Sequence, residues 1–212
     1  MNILAIETSV SQASLCLNRR GNLSYLASWQ AERNHDAHLF PALEKALEAL
    51  EGDSLHYILV GAGPGSYGGV RVALAAGVGI SAVTGARLVA IDSWAQLVGA
   101  RQACIISDAR RGGWTLRRPT GEISVLSTPE ILKEQQNGTL LYSVETSSTL
   151  TEKGLLPPAQ ESLVPTASGL VETWLQMSAA EQQKALERPA EPIYVRPPHI
   201  TKAVRKPWEI PH

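Results

Sequence analysis

The order of short apolar runs is repeated once along this chain, and this repeat constrains the fold more than any other feature. Three strand-like runs separated by turn residues open each half, and a helical pattern and a further strand follow them. The first copy comprises residues 3–6, 13–17, 23–29, 39–50, 57–62, 70–83 and 87–91. The second comprises residues 104–107, 113–117, 123–126, 129–136 and 140–144. Because parallel strands must be joined by crossovers, the pattern predicts an α/β protein with two sheets.

A doubled βββαβα unit is the plan shared by actin, the sugar kinases and Hsp70. The sequence therefore predicts an actin-like α/β fold of two βββαβα lobes, the second of them reduced. The predicted divisions are a first lobe at residues 1–102, a second at 103–187 and an extended tail at 188–212. The tail carries six prolines, which favour an extended backbone.

Composition and charge restrict the class of protein. Apolar residues make up 44% of the chain, which is enough to form a hydrophobic core. The net charge is −1, so the chain has no overall positive charge that would attract RNA. Cys16 and Cys104 stand in apolar runs, which predicts buried, reduced thiols. The N-terminus lacks the basic start of a signal peptide, and the longest apolar stretch, residues 72–86, is shorter than the roughly 20 residues of a membrane span. We expect a cytoplasmic protein without membrane contact.

A glycine-rich loop follows the strand at 57–62 and opens an apolar helix. Gly63-x-Gly65-x-x-Gly68 matches the dinucleotide-binding fingerprint, with Asp92 at the end of the next strand as the acidic residue. The loop, however, follows a three-strand meander and is stiffened by a proline, so a structural turn is the preferred interpretation, with Gly65 at positive φ. A dinucleotide-binding enzyme stays the alternative. The residues assigned to the turn are Gly63, Pro64, Gly65, Ser66 and Gly69.

Catalytic and metal-binding patterns are weak. His35 and His38 flank Asp36, but the His-Glu-x-x-His spacing of metalloproteases is missing. We therefore predict that these residues are exposed to solvent at the start of a helix and bind no metal. A metal-dependent peptidase, the second alternative, would need that metal. No Gly-x-Ser-x-Gly elbow occurs, and no catalytic residue is assigned.

Small residues form stripes on the two helices of the first half. Each interior glycine costs about 1 kcal/mol of helix propensity relative to alanine, and close approach of another helix is the usual compensation. We predict contact with a partner protein through these helices, and packing within the lobe is the open alternative. The residues assigned to the contact are Ala42, Ala46, Ala49, Gly69, Ala73, Ala75, Gly77 and Gly79.

Four segments together resemble the TsaB (YeaZ) family. They are residues 3–9 (ILAIETS), 63–71 (GPGSYGGVR), 108–111 (DARR) and 194–198 (YVRPP). The resemblance implies a non-catalytic subunit required for N6-threonylcarbamoyladenosine (t6A) at A37 of tRNA, which binds and supports a TsaD-like catalytic partner. It also implies a TsaE-like ATPase in the complex and only indirect contact with tRNA. We expect no resident cofactor, and leave open ATP or ADP at the partner interface and a homodimer of the isolated chain.

The first hairpin loop of each lobe corresponds to a loop that holds nucleotide phosphates in active members of the actin, sugar-kinase and Hsp70 superfamily. The weak ligand candidates in these two loops are Glu7, Thr8, Ser9, Asp108, Arg110 and Arg111. Families of this type usually place Asp where Glu7 stands and Thr where Gly68 stands. Both departures make nucleotide contact the less favoured role for these loops.

Overall fold

The computed structural model describes residues 1–31, 36–98, 103–109, 111–155 and 163–195. The strands are β1 (Asn2–Glu7), β2 (Gln12–Arg19), β3 (Asn22–Gln30), β4 (Tyr57–Gly61), β5 (Arg87–Ile91), β6 (Cys104–Asp108), β7 (Gly113–Arg117), β8 (Ile123–Ser127) and β9 (Leu141–Ser143). The helices are α1 (Asp36–Glu48), α2 (Tyr67–Thr84), α3 (Ala95–Val98), α4 (Thr128–Gln136), α5 (Ser147–Glu152), α6 (Ala167–Gln176) and α7 (Ala179–Glu187).

The first sheet has the strand order β3-β2-β1-β4-β5. β1 pairs antiparallel with β2 and parallel with β4, as the crossover through α1 requires. Side chains alternate across β1, so Leu4 and Ile6 join the core beneath α1 and α2, and Ile3 and Ala5 join the core on the opposite face. Both faces of the central strands are therefore covered, which explains why these strands are apolar throughout.

The second sheet has the order β8-β7-β6-β9 and repeats the arrangement of the first on a smaller scale. β6 pairs antiparallel with β7 and parallel with β9. Within the described residues this lobe has no counterpart of β5, so the prediction of a reduced second lobe is confirmed. Its last helix, α5, was missing from the sequence interpretation because its sequence, SSTLTE, has no apolar period.

The helices α6 and α7 pack on the first sheet although they follow the second along the chain. Leu170 and Trp174 of α6 lie in the core with Ile3 and Ala5, and the Trp174 ring lies 5.2 Å from that of Tyr57. The Ala167 N–H donates to Ser14 Oγ at 2.8 Å. The division at residues 103–187 therefore needs correction, because its last two helices complete the first lobe.

α2 begins three residues before the predicted helix, because Ser66 caps it by accepting a hydrogen bond from the Gly69 N–H. It is the one helix in the described ranges that is long and apolar enough to cross a membrane by length and composition alone. Buried helices of soluble proteins have the same profile, and α2 packs one face on its own sheet through Ala73 and Leu74.

Both cysteines are free and buried, as predicted. Burial raises the pKa of the Cys16 thiol to about 12, so this thiol stays protonated at neutral pH.

Candidate functional site

A cleft with a volume of about 810 Å³ lies between the two lobes. Its walls are the hairpin after β1, the glycine loop, the ends of β6 and β9, α5, and residues 192–195 of the C-terminal segment. The carboxyl ends of the parallel strands of both sheets meet here. Ligands of α/β proteins commonly bind at such an edge, so the cleft is the first candidate site.

The first hairpin is organised by the buried side chain of Glu7. Its Oε1 accepts the Ser9 N–H at 2.7 Å, and its Oε2 has no hydrogen-bond partner in the part of the chain that the structure describes. Burial raises the pKa of this carboxyl, against the lowering effect of the Ser9 contacts. Thr8 Oγ1 donates to the Gly69 carbonyl at 2.7 Å, so this candidate ligand residue holds the start of α2.

The second hairpin is also capped by a carboxylate of the chain itself. Glu145 Oε1 accepts the Asp108 N–H at 3.0 Å and the Ser107 hydroxyl at 2.9 Å. Asp108 forms an ion pair with Lys153 at 2.5 Å. Arg111 stands in the turn between β6 and β7 with φ 53°, and Arg110 lies outside the described residues. In a phosphate-binding hairpin, such backbone N–H groups donate to the oxygens of the phosphate. In both hairpins here, a glutamate side chain of the protein accepts the N–H instead.

The glycine loop packs against its own chain. Gly63, not Gly65, has the positive φ (88°), so the expected conformation of Gly65 was wrong. Gly65 is required for a different reason: a Cβ there would overlap the Ser9 carbonyl oxygen, which also accepts the Ser66 N–H at 2.6 Å. The Ile193 N–H donates to the Ala62 carbonyl at 2.8 Å, directly before the loop. These contacts favour the structural turn.

Asp92 does not offer its carboxylate to a ribose. Its Oδ1 accepts the Trp94 N–H at 2.8 Å, and its Oδ2 pairs with Arg117 of the second lobe at 2.6 Å. Both oxygens are therefore engaged, and the side chain ties the lobes together. This geometry disfavours the dinucleotide alternative, which needs a free acidic group after the second strand of the motif.

The histidine pair is only partly described. His38 lies on α1 with its ring stacked on Trp29, at a centroid distance of 6.4 Å. His35 lies outside the described residues. Within the described ranges no group of three His, Cys, Asp or Glu side chains could hold a metal ion.

A second candidate site is the apolar groove between α1 and α2, with a volume of about 480 Å³. Phe40 and Val83 border it and are 59% and 88% exposed, which is unusual for large apolar side chains. The groove is lined by Leu39, Phe40, Leu43, Leu47, Val72, Ala75, Ala76, Gly79, Ile80, Val83 and Thr84.

The structure divides the residues assigned to the partner contact. Gly69, Ala73 and Gly77 face the chain's own sheet, and a Cβ at Gly77 would lie 2.7 Å from Leu88 Cδ1. Ala42 and Ala46 are also buried within the lobe. Contact with a partner is corrected to internal packing for these five positions, because these residues have almost no exposed surface. Ala75 and Gly79 are exposed and line the groove, and Ala49 is half-buried, so the prediction stays for these three.

Several residues at these sites escaped the sequence interpretation. Glu145 directly follows the β9 region, and its place after a parallel strand was a usable signal. Lys153 had no such signal, because it reaches the cleft from α5. Tyr194 begins one of the segments that carry the resemblance, but nothing in that segment indicated that it lines the cleft.

We expect Glu7→Gln to become more stabilising, relative to the wild type, as the pH rises. Because the folded pKa is raised above its ordinary value of 4.5, the contribution of Glu7 to stability is complete below that pH and is lost as the pH rises through the folded pKa. Glutamine cannot ionise, and its carbonyl can still accept the Ser9 N–H. The difference in unfolding free energy should grow by about 1.4 kcal/mol for each unit of raised pKa.

Urea unfolding of both proteins at pH 5 and pH 8 measures this difference, with the exposed Glu44→Gln as control. Equal differences at the two pH values would contradict the assigned environment of Glu7.

Comparisons with known proteins find similarity to two proteins of tRNA threonylcarbamoyladenosine synthesis. Residues 29–131 match the family model described as TsaD, tRNA N6-adenosine threonylcarbamoyltransferase. The chain is 36% identical over 81 residues to the tRNA threonylcarbamoyladenosine biosynthesis protein TsaB of Buchnera aphidicola subsp. Baizongia pistaciae (strain Bp). That alignment covers 37% of this chain and 36% of the relative's length.

Two solved structures from Pseudomonas aeruginosa share the fold. YeaZ has a TM-score of 0.68 at 21% identity over 91% of this chain and 99% of its own. A protein described as similar to peptidase YEAZ has a TM-score of 0.69 at 21% identity, over 92% and 99%. The two sheets and their helices thus form the actin-like α/β fold that the sequence predicts, and the chain is similar to proteins of the TsaB (YeaZ) family.

Proposed function

We propose that this chain is a non-catalytic subunit of the machinery that makes t6A at A37 of tRNA, and that it acts by binding and supporting a TsaD-like catalytic partner. The observation that carries the proposal is the apolar groove between α1 and α2, which no other described segment of the chain covers. The subunit works in the cytoplasm, together with a TsaE-like ATPase, and reaches tRNA through its partner.

The groove has the character of a protein interface. Its lining is almost wholly aliphatic or aromatic, with Phe40 and Val83 exposed at its border. A contiguous apolar surface of this kind favours association, since burying it removes apolar area from water. Exposed small residues on α2, Ala75 and Gly79, allow a partner helix to approach its backbone closely.

The proposed partner is chosen from the likeness of this chain to the TsaD family model. A protein built on the same fold presents a corresponding helix pair, and two such pairs can pack as four helices. A second copy of this chain offers the same surface, so a homodimer of the isolated chain competes with the partner.

The cleft contacts support a role without catalysis. Glu7 and Glu145 accept the backbone N–H groups of Ser9 and Asp108, which a bound phosphate would need. A nucleotide in the cleft would have to displace or face these carboxylates. ATP or ADP is therefore better placed at the interface with the partner.

The isolated chain is expected neither to hydrolyse ATP nor to modify tRNA, and cells that lack it are expected to lose t6A. Mass spectrometry of nucleosides from the tRNA of a depleted strain, with and without the wild-type gene restored, measures the second expectation. Assays of ATP hydrolysis and tRNA modification by the purified chain alone measure the first, and reconstitution with the TsaD-family protein and the other components, with and without this chain, tests the requirement in vitro. Full modification in the absence of the chain would refute the proposal.

A further inference from the structure

Two tyrosines and an arginine form an exposed cluster at the start of α2. The rings of Tyr67 and Tyr194 are stacked, with centroids 5.3 Å apart and an interplanar angle of 27°. The guanidinium carbon of Arg71 lies 5.2 Å from the Tyr67 ring centroid, and Arg71 Nη1 donates to the Tyr67 hydroxyl at 3.1 Å. Tyr67 and Tyr194 are 52% and 50% exposed, so this ring-and-guanidinium group faces solvent.

The C-terminal segment brings Tyr194 to this position. Ala190 packs against the core beneath α1 and α2, and the Ile193 N–H donates to the Ala62 carbonyl at 2.8 Å. These contacts hold the backbone on both sides of residue 192 against the first lobe. The last described residues of the chain therefore complete a surface that begins on α2.

The positive charge of the cluster is not compensated by any described carboxylate. Arg71 makes no ion pair with any carboxylate of the described residues, and the first turn of α2 has no acidic side chain. The N-terminal end of the helix adds a partial positive charge of its own. A guanidinium held against an aromatic ring is preorganised for a carboxylate, and Tyr and Arg are enriched among the residues that dominate binding energy at interfaces.

The cluster is continuous with the apolar groove. Tyr67, Arg71, Ala75, Gly79 and Val83 recur every four residues, so each lies next to the following one in a continuous ridge that winds gradually along α2. The last three line the groove, and the first two belong to the cluster. One exposed surface therefore runs along α2, apolar at one end and aromatic and cationic at the other.

We propose that the Tyr67–Arg71–Tyr194 cluster is the charged anchor of the docking surface and binds a carboxylate side chain of the TsaD-like partner. The inference rests on the proposed function and adds the chemistry that the partner must present. The apolar groove supplies contact area, and the cluster fixes the direction in which the partner lies along α2, because only one end of the surface attracts a carboxylate.

Binding of the full-length chain to the purified TsaD-family protein of the same organism tests this inference. We expect Arg71→Ala and Tyr194→Ala each to weaken the affinity about ten-fold. The dependence of the dissociation constant on salt should become shallower in Arg71→Ala, since a charged contact is lost. The control is Lys184→Ala, which removes one positive charge from α7 on the opposite face of the sheet and should change the affinity less than about two-fold.

Ala75→Glu, measured in the same series, separates this inference from the proposed function. If Ala75→Glu abolishes binding while Arg71→Ala and Tyr194→Ala bind within about two-fold of the wild type, the anchor is wrong and the groove stands. If Ala75→Glu binds normally, the docking surface itself is wrong, and the anchor falls with it. Thermal melts of all variants should match the wild type, because the changed side chains are exposed.

Discussion

Ala75→Glu is expected to stay folded and to lose its partner, whereas Ala73→Glu, two residues away on the same helix, is expected to unfold. Ala73 is 0% exposed and lies in the core between α2 and the first sheet. An unpaired carboxylate buried there costs several kcal/mol, which is comparable with the total stability of about 5–15 kcal/mol of a typical domain. Ala75 is exposed in the free chain but lines the groove, so its glutamate would be desolvated only when the partner binds.

Circular dichroism melts and pull-down of the TsaD-family protein distinguish the two variants. Restoring each variant to a depleted strain extends the test to t6A in cells, where both should fail for different reasons. Unfolding of both variants would mean that α2 is covered on all sides by its own chain. Normal binding by a folded Ala75→Glu would place the partner elsewhere on the molecule.

Gly65→Ala is expected to destabilise the chain by about 3 kcal/mol, and Gly65→Val, with its bulkier side chain, by more. A Cβ at this position overlaps the Ser9 carbonyl oxygen, so the hairpin and the loop would have to move apart. Gly68→Ala is the matched control from the same loop, because a Cβ at Gly68 meets nothing within 4 Å. Gly68 is the second residue of α2, so alanine there should stabilise the chain slightly, by less than about 1 kcal/mol.

Chemical denaturation of the three variants measures these opposite effects, and calorimetry with NAD should show no binding to the wild type. A dinucleotide-binding loop would behave differently, since both glycines would then matter for the ligand more than for folding. Tight NAD binding by the wild type, together with a stable Gly65→Val, would restore that alternative.

The fold could be predicted because its signals are local. The apolar runs of β1 and β2, bounded by turn residues, and the four-residue spacing of Leu39, Leu43 and Leu47 each depend on neighbours in sequence, so the local pattern was enough to identify them. The assignment of α6 and α7 to the second lobe was wrong. Their amphipathic pattern indicates that one face of each helix is buried, but it does not indicate which of the two sheets covers that face.

The candidate sites were harder to predict, because their decisive contacts join distant segments. The stripe of small residues on α2 that faces inward is determined by Val60 of β4 and Leu88 of β5, which lie next to Gly77. These strands precede and follow α2 in the sequence, so the orientation of the helix depends on contacts outside it. Likewise, Glu145 meets Asp108 across 37 residues, and Tyr194 meets Tyr67 across more than half of the chain. The position of Glu145 after a strand could indicate a functional residue, but residue type and spacing do not show which distant residue it contacts.

The position of α6 also has a consequence for the order of synthesis. The strands β1, β2 and β4 emerge from the ribosome early, but the helix that covers Ile3, Ala5 and Leu59 begins only at Ala167. Until then one whole face of the nascent first sheet is open to water, where apolar strands invite wrong association. The amino-terminal lobe therefore cannot complete its folding while it is being synthesised. A chain released before α6 would expose this apolar sheet face and would be a substrate for chaperones or proteases.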